Sequence, residues 1–245
     1  MDGNKKRTKS STTDMSTDSS LKISVIIPTR NRPKDLAELL SSILNQDYSP
    51  LEVIIVDDSE RCTAKQVVAH FDSDFKRMGC ELKYVKGSGD GLPAARNLGV
   101  KLSRGDAILF LDDDTLLDND TVRALASFLE KNPRALGVQP RILSLTPNTR
   151  KDRLLASLEK LVCKVLMLTY REKNKQIVRR SGTDVLPSEL TEVINVQRLC
   201  GCCCFKREVF ECLKFDENLK RWAFMEDLDF SYRVYKKYPE SLYAI

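Results

Sequence analysis

The segment Leu21–Ser59, LKISVIIPTRNRPKDLAELLSSILNQDYSPLEVIIVDDS, predicts the fold of the chain. It contains two short apolar runs, Ile23–Pro28 and Leu51–Val56, on either side of a helical pattern that begins near Pro33. Proline suits the first turn of a helix, and the apolar residues after it recur at the spacing of one helix face. Both runs are continuous instead of alternating, which is typical of strands buried on both faces of a parallel sheet. The segment therefore predicts a strand–helix–strand unit of an α/β fold.

The same succession of apolar runs and helical patterns continues along the chain. Further strands are predicted at Leu82–Val85, Ala107–Leu111 and Gly137–Leu143, with helices that end near Lys76, contain Ala94–Asn97 and cover Asp118–Lys131. We therefore expect a doubly wound α/β domain, with a mostly parallel central sheet and helices on both of its faces.

The length and composition of the chain favour one domain preceded by a polar tail. With 245 residues and 42% hydrophobic content, the chain can bury one substantial core. The 40 Lys and Arg residues and the 35 Asp and Glu residues are both spread along the chain, so no nucleic-acid partner is expected. Residues 1–20 have almost no apolar side chains and are expected to form a disordered tail. They lack the apolar stretch of a secretory signal and contain acids, which transit peptides avoid.

Several features favour a cytoplasmic protein. No apolar run approaches the roughly 20 residues that cross a bilayer, and eight cysteines without a secretory signal, three of them contiguous at Cys202–Cys204, favour a reducing compartment. Leu154–Tyr170 is an amphipathic stretch flanked by Lys and Arg, which is compatible with docking at the cytoplasmic face of a membrane near a lipid-linked acceptor. A helix packed on the sheet explains the same residues and is the favoured interpretation.

Polar residues follow three of the predicted strands at the point where each strand ends. These are Pro28–Arg32, Asp57–Asp58 and Asp112–Asp114. Ligands of such sheets bind beyond the carboxyl ends of the strands. Carboxylates gathered at one edge would repel one another unless a divalent cation neutralised them, with a diphosphate as a further source of oxygen ligands. The alternative is that each aspartate caps the helix that follows it, but one cap would suffice where three aspartates are consecutive.

Four segments, in this order, resemble the family 2 glycosyltransferases of GT-A fold: SVIIPTRNRPKDLAELLSSILNQDYSPLEVIIVDDS, GLPAARNLG, ILFLDDDTLL and MEDLDFSYRVYKK. The resemblance covers roughly Leu21–Lys237. It implies a Rossmann-like nucleotide-binding half over residues 21–115 and an acceptor-binding half over residues 116–245. It also implies a DxD-type metal motif and transfer with inversion at the anomeric carbon.

The resemblance assigns roles to individual residues on the donor side. Asp114, together with Asp112, would bind Mn²⁺ or Mg²⁺. Asp58 would accept a hydrogen bond from the base or ribose of a UDP- or GDP-sugar. The residues that would contact this nucleotide sugar are Pro28, Thr29, Arg30, Asn31, Asp57, Asp58, Arg96, Asn97, Asp112 and Asp113.

The acceptor side requires a base, because an inverting displacement must deprotonate the incoming hydroxyl. By the resemblance this base is Asp227, and Glu226 is the second choice. The alternative is that acids in the first turn of a helix only complement its dipole. Trp222 and Phe224 could form an aromatic shelf for a sugar ring of a glycan or lipid-linked acceptor, although Trp222 is equally well explained as a core residue.

Other site types match the residues less well. An oxidoreductase would need GxGxxG after its first strand, and a sugar nucleotidyltransferase would carry a glycine-rich basic loop there. This chain has PTRNRP at that place. Cys200 and Cys203 have the CxxC spacing of a metal or redox site, but a second ligand pair is missing, so CGCCCF is interpreted as a buried strand.

The chain departs from the family pattern towards its C-terminus. It lacks the QxxRW segment and membrane helices of the processive synthases, which indicates a nonprocessive enzyme of glycan biosynthesis. The downstream histidine with which many relatives complete the metal site is also missing, and the sequence stops inside a predicted strand at Tyr243–Ile245. Either carboxylates and water complete the metal site, or the sequence is truncated. The alternative function is a non-catalytic or truncated sugar-nucleotide-binding paralogue.

Overall fold

The computed structural model describes residues 21–142, 163, 166, 168, 170–179, 183–187, 189–219 and 225–245. Its strands and helices are, in chain order, β1 (Ile23–Thr29), α1 (Pro33–Leu44), β2 (Glu52–Asp57), α2 (Ala64–Arg77), β3 (Glu81–Lys86), α3 (Leu92–Leu102), β4 (Ala107–Phe110), α4 (Thr121–Lys131), β5 (Gly137–Gln139), β6 (Tyr170–Glu172), β7 (Ile177–Val178), β8 (Asp184–Pro187), β9 (Ile194–Asn195), β10 (Cys203–Lys206), α5 (Val209–Cys212), α6 (Glu226–Lys237) and β11 (Leu242–Ala244). Every element predicted up to Gln139 is present. The strand predicted over Gly137–Leu143 is shorter than expected, since β5 ends at Gln139.

The first four strands form the parallel part of an eight-stranded sheet with the order β3-β2-β1-β4-β10-β5-β11-β9. β1 lies between β2 and β4, and Val25 pairs with Val53 on one side and with Leu109 on the other. All residues of these three strands are buried, as expected for strands covered on both faces. The predicted α/β fold with a mostly parallel sheet is therefore confirmed.

Helices cover both faces of this sheet. Successive side chains of a strand point to opposite faces, and neighbouring residues of β1 accordingly belong to different apolar clusters. Val25 and Ile27 pack with residues of α1, α2 and α4, whereas Ile26 packs with residues of α5 and α6. The helix α3 contributes Ala95 to a third, smaller cluster against β2.

The strand β10 is inserted antiparallel between β4 and β5. Its first residue, Cys203, lies opposite Phe110, the last residue of β4. Because the two strands run in opposite directions, the residues that precede β10 lie beside the residues that follow β4. The segment before Cys203 therefore reaches the same edge as the Asp112–Asp114 run.

A second sheet has three strands in the order β6-β8-β7. Gln176, just before β7, ties it to the main sheet, since its amide exchanges hydrogen bonds of 3.0 and 3.3 Å with Gln139 at the end of β5. Most of the helix predicted over Leu154–Tyr170 lies outside the described residues, and Tyr170 begins β6. Among the residues that are described, no helix combines the length and the hydropathy needed to span a bilayer.

All eight cysteines are free thiols. Burial raises the pKa of Cys202 to about 12, and it also raises the pKa of Cys203 and of Cys204 in β10. Such thiols stay protonated and are poor metal ligands in this state. The interpretation of CGCCCF as a buried strand is confirmed for its last three residues, which open β10.

Candidate active site

The carboxyl ends of β1 and β4 are joined by direct contacts at one edge of the sheet. The Thr29 hydroxyl donates to Asp113 Oδ2 at 2.7 Å, and Arg32 Nη1 donates to Asp113 Oδ1 at 3.2 Å and to Asp114 Oδ2 at 2.7 Å. Burial raises the pKa of Asp113, although the Thr29 hydroxyl and Arg32 oppose the shift. In this structure Asp113 is buried and links the two strand ends, and its expected nucleotide contact stays a prediction.

The other two aspartates of this run face solvent. The side chains of Asp112 and Asp114 are 46% and 58% exposed. Gly201 lies against Asp112, and a Cβ on Gly201 would come within 2.3 Å of Asp112 Oδ2. Accessible carboxylate oxygens suit a hard divalent cation. In the described part of the chain no third His, Cys, Asp or Glu completes such a group, so further ligands would be substrate oxygens or water.

Asp57 binds internal partners in this structure, and its expected nucleotide contact stays a prediction. The residue is fully buried. Its Oδ1 accepts the backbone N–H of Ser59 at 2.8 Å, and its Oδ2 accepts the N–H of Ala64 and the hydroxyl of Tyr84, both at 3.2 Å. Asp57 therefore binds the backbone of the first residue of α2, although the N-cap position of that helix is Thr63.

Asp58 has a different environment from its neighbour. It is partly exposed, and its Oδ1 accepts the N–H of Gly89 at 3.1 Å in the loop after β3. A Cβ at Gly87 would come within 1.9 Å of the same oxygen. This glycine loop, which contains Gly87 and Gly89, thus packs closely on Asp58. The second carboxylate oxygen of Asp58 has no hydrogen bond within the described residues. Asp58 remains the predicted contact to the base or ribose.

The loop after β1 shows a division between buried and exposed residues. Pro28 is buried within β1, whereas Arg30 and Asn31 are exposed. Asn31 has a φ of 59°, a left-handed conformation that asparagine tolerates better than most residues. Its N–H donates to Ser59 Oγ at 2.7 Å. The side chain of Pro28 is therefore buried, whereas Arg30 and Asn31 are accessible at the end of β1, and the nucleotide contacts of all three stay predictions.

Arg96 is a buried ion-pair centre, only 2% exposed. Its Nη1 donates to Glu226 at 2.5 Å and its Nη2 donates to Asp112 at 3.0 Å. The guanidinium carbon lies 5.7 Å from the centre of the Phe110 ring and 5.3 Å from that of Phe215. Although burial opposes it, the two carboxylates raise the pKa of Arg96. In this structure Arg96 forms an internal bridge between the residue after β4 and α6, and its expected contact with the nucleotide sugar stays a prediction.

Asn97 is also used internally. Its side-chain amide donates to the Phe215 carbonyl at 3.0 Å and to Glu217 at 2.7 Å, and it accepts the Phe215 N–H at 3.0 Å. These bonds fix the segment after α5 to α3. The expected nucleotide contact of Asn97 stays a prediction, and its side-chain oxygen keeps a second lone pair for it.

The two acids at the start of α6 bind different partners. Glu226 is buried against Arg96, and burial raises the pKa of Glu226 although Arg96 opposes the shift. Asp227 is 17% exposed, and its Oδ2 accepts a hydrogen bond of 2.6 Å from Arg198 Nη2. Met225, just before them, has a left-handed φ of 70°. The burial of Glu226 argues against its use as the second-choice base.

Arg198 and Asp184 were not found by sequence reasoning. Arg198 is buried and donates through Nη1 to Asp184, which is itself 1% exposed, and through Nη2 to Asp227. A local signal does exist, because Arg198 stands alone as a charged residue within the apolar stretch VINVQRLCGCCCF. Its partners lie in distant segments, Asp184 outside any motif and Asp227 in the segment MEDLDFSYRVYKK. Trp222 and Phe224, the predicted acceptor shelf, lie outside the described residues.

Comparison with known proteins gives a consistent picture. The family model described as Glycosyl transferase family 2 matches residues 24–213. An uncharacterized glycosyltransferase of Rickettsia conorii is 38% identical over 111 residues, which are 45% of this chain and 18% of that protein. The poly(ribitol-phosphate) β-N-acetylglucosaminyltransferase TarS of Staphylococcus aureus is 32% identical over 114 residues, which are 46% of this chain and 19% of TarS. The matched segment thus spans less than a fifth of either curated relative.

Solved structures share the fold over most of the chain. TarS residues 1–349 in complex with UDP-GlcNAc superimpose with a TM-score of 0.62 at 21% identity, covering 92% of this chain and 56% of that one. The mannosyltransferase PcManGT of Pyrobaculum calidifontis, in complex with GDP-Man and Mn²⁺, gives a TM-score of 0.58 at 18% identity, with the same coverage of 92% and 56%. These similarities establish a GT-A architecture.

Proposed function

The chain belongs to glycosyl transferase family 2, and on that premise we propose that it transfers a sugar from a UDP- or GDP-sugar to an acceptor hydroxyl, with inversion and without processive polymerisation. One observation carries the proposal. Arg96 bonds both Asp112, in the acidic run, and Glu226, the neighbour of Asp227. A single buried side chain therefore brings the proposed donor site and the proposed base together.

The donor would lie at the carboxyl ends of the parallel strands. Asp58 is proposed to bind the base or ribose, and the exposed loop residues Arg30 and Asn31 are proposed to line the nucleotide. The support is their accessibility around the glycine loop after β3, together with the UDP-GlcNAc and GDP-Man held by the two structural neighbours. Neither base is preferred by these residues.

Asp112 and Asp114 are the residues that would hold a divalent cation, Mn²⁺ or Mg²⁺. The exposure of their side chains supports this assignment, and PcManGT is a GT-A structure that contains Mn²⁺. When bound, the cation would stabilise the charge that develops on the diphosphate leaving group. Arg32, which bonds Asp113 and Asp114, adds a positive side chain at the same edge.

On the acceptor side, Asp227 is proposed to take the proton of the attacking hydroxyl. Its carboxylate is fixed by Arg198 and by the N–H of Leu228, which donates to Oδ1 at 2.7 Å. Each carboxylate oxygen retains a free lone pair, so one can accept the hydroxyl proton. As the proton passes to Asp227, the acceptor oxygen would attack the anomeric carbon on the face opposite the departing nucleoside diphosphate, which leads to inversion. The acceptor, a glycan or a lipid-linked sugar, would contact residues of the second half, 116–245, whereas residues 21–115 would bind the donor.

A thermal-shift panel of UDP- and GDP-sugars, each with and without Mn²⁺, tests the donor side. A ligand at 100 times its Kd stabilises the folded protein by about 2.7 kcal/mol, which raises the melting temperature measurably. We expect one nucleotide class to stabilise the protein only with the metal. Transfer is then followed as released nucleoside diphosphate with a panel of glycan and lipid-linked acceptors. Metal-dependent binding without transfer would favour the non-catalytic paralogue, and no stabilisation by any donor would contradict the proposal.

A further inference from the structure

Arg198 is held in place at both its backbone and its side chain. Its carbonyl oxygen accepts a hydrogen bond of 3.0 Å from Gln176 Nε2. Two residues on, the Cys200 N–H donates to Gln139 Oε1 at 2.8 Å. Gln176 and Gln139 are themselves buried and bonded to each other. The backbone around Arg198 is therefore anchored to both the main sheet and the three-stranded sheet.

The side chain of Arg198 bridges two carboxylates of unequal accessibility. Asp184, in β8, is almost completely buried, whereas Asp227 is partly exposed at the start of α6. Asp184 is too deeply buried to contact a substrate. An arginine removed from water needs charged partners, and these two acids meet that need. Although burial opposes it, Asp227, Cys200 and Asp184 raise the pKa of Arg198, so the guanidinium keeps its charge.

The formal charges of Arg198, Asp184 and Asp227 suit a catalytic base at Asp227. The positive charge of Arg198 is offset by Asp184, so the pair is neutral as a unit. Asp227 therefore faces a pair without net charge, and its orientation is fixed by a charge-assisted hydrogen bond from Arg198.

We propose that Arg198 and Asp184 form a positioning pair that holds the Asp227 carboxylate in the orientation needed to accept the acceptor proton. The inference rests on the proposed function. It assigns a role in transfer to the three-stranded sheet, because β8 carries Asp184. Neither residue touches the reacting atoms, and both act through Asp227.

A double-mutant cycle tests the pair. Arg198→Met is expected to lower kcat about 10- to 100-fold, the usual loss for a residue that supports a functional group from outside the reacting shell. The KM for the donor should stay within about twofold, because Asp184 and Asp227, which the Arg198 side chain binds, are not among the proposed donor contacts. In the Asp227→Asn background, Arg198→Met should cause no further loss of kcat. Arg198→Lys should restore part of the activity, and Asp184→Asn should reproduce the loss in weaker form.

Arg233→Met is the matched control. Arg233 lies on α6, the helix that carries Asp227, and it bonds the Asp229 carboxylate at 2.7 Å. Unlike Arg198, it is at the surface. Its loss should leave kcat unchanged. Unchanged kcat in Arg198→Met, or losses that multiply in the double variant with Asp227→Asn, would overturn the positioning pair while leaving the proposed function intact.

The melting temperatures of the four proteins in the double-mutant cycle provide a second test, which needs no substrate. If Arg198 acts through Asp227, the double variant should melt no lower than Arg198→Met alone, and additive lowering of the melting temperature would overturn the inference. Where Arg198→Met does not fold, Arg198→Lys and Asp184→Asn replace it in both measurements. Absence of transfer by the unmodified protein with every donor and acceptor would contradict the proposed function instead.

Discussion

Gly201 lies directly against the carboxylate of Asp112, because a Cβ at this glycine would come within 2.3 Å of Asp112 Oδ2. Gly201→Ala is expected to displace this carboxylate and to weaken metal-dependent donor binding about tenfold or more, since one cation ligand moves. Calorimetric titration of the nucleotide sugar with and without Mn²⁺ measures the effect. Gly87→Ala is the contrasting variant: its Cβ would meet Asp58 instead, and it should weaken binding with or without the metal. Equal metal-dependent affinity in Gly201→Ala and the unmodified protein would refute the prediction.

Asp114→Ala should lower transfer by about two to three orders of magnitude, the scale of losing one electrostatic stabiliser of the transition state. It should also reduce the Mn²⁺-dependent part of nucleotide binding, because the exposed Asp114 carboxylate is the proposed metal ligand. Asp118→Ala is the control, since Asp118 is an exposed aspartate four positions further along the chain. Full transfer by the Asp114 variant would remove its assigned role.

Asp227→Asn should lower kcat by about 10²- to 10⁴-fold, the usual contribution of a general base. Donor affinity should be unaffected, because Asp227 is not among the proposed donor contacts. Asp229→Asn, which changes an acid two residues away that pairs with Arg233 at the surface, should remain active. Steady-state kinetics with separate titrations of donor and acceptor distinguish these expectations. A weakened donor Kd with normal kcat would point to a different role.

Removal of the Arg96 guanidinium should destabilise the whole domain. Arg96→Met leaves the buried Glu226 carboxylate without its ion-pair partner, and breaking such a pair on one side costs about 3–5 kcal/mol. Urea unfolding of the two proteins measures the difference in the free energy of unfolding. Arg233→Met, at an exposed arginine–carboxylate pair, should change that free energy by less than about 1 kcal/mol. Similar losses in both variants would show that the Arg96 pair contributes nothing specific.

Glu52 lies at the end of the sheet opposite the candidate site, and it should make the free energy of unfolding depend on pH. Burial alone would raise the pKa of Glu52, but hydrogen bonds from Lys83, Ser24 and the backbone of Arg104 lower it below the usual 4.5. A carboxyl whose pKa is lowered by folding stabilises the protein above the unfolded pKa, and this contribution is lost as the pH falls through the folded pKa.

The variant Glu52→Gln should therefore be less stable than the unmodified protein near neutral pH, and the difference should shrink at acidic pH. Urea unfolding as a function of pH provides the measurement. Glu60→Gln, at an exposed site in the loop after β2, should show no such pH-dependent difference. A gap between Glu52→Gln and the unmodified protein that is constant across the pH range would contradict the argument.

The donor edge is the part of the site that sequence reasoning predicts well. Thr29, Asp58 and Asp112 each follow a continuous apolar run, and parallel strands bring their carboxyl ends to one edge. Within that edge the direction of a side chain is harder to predict. Asp57 and Asp58 are adjacent, yet one binds the start of α2 and the other faces the glycine loop, because neighbouring residues of an extended chain point to opposite sides.

The acceptor side depends on contacts between distant segments, which local patterns do not reveal. Arg198 reaches Asp184 from one segment and Asp227 from another, and neither aspartate is marked by its neighbours as a partner of an arginine. The apolar composition of Cys202–Phe205 predicts a strand, but it does not indicate whether that strand runs parallel or antiparallel to its neighbours. Its antiparallel direction is set by pairing with β4 and β5, and this direction brings Gly201 to Asp112.

The position of β10 has a consequence for building hybrid enzymes. A chimera joined near residue 115 would take β4 from one parent and β10 from the other. These two strands would then have to pair although they come from different proteins. Without β10, the apolar strand Ala107–Phe110 would become an open sheet edge, which invites aggregation. Exchange of acceptor specificity between relatives therefore calls for a graft that leaves β10 with the donor-binding strands, so that β4 keeps its own neighbour.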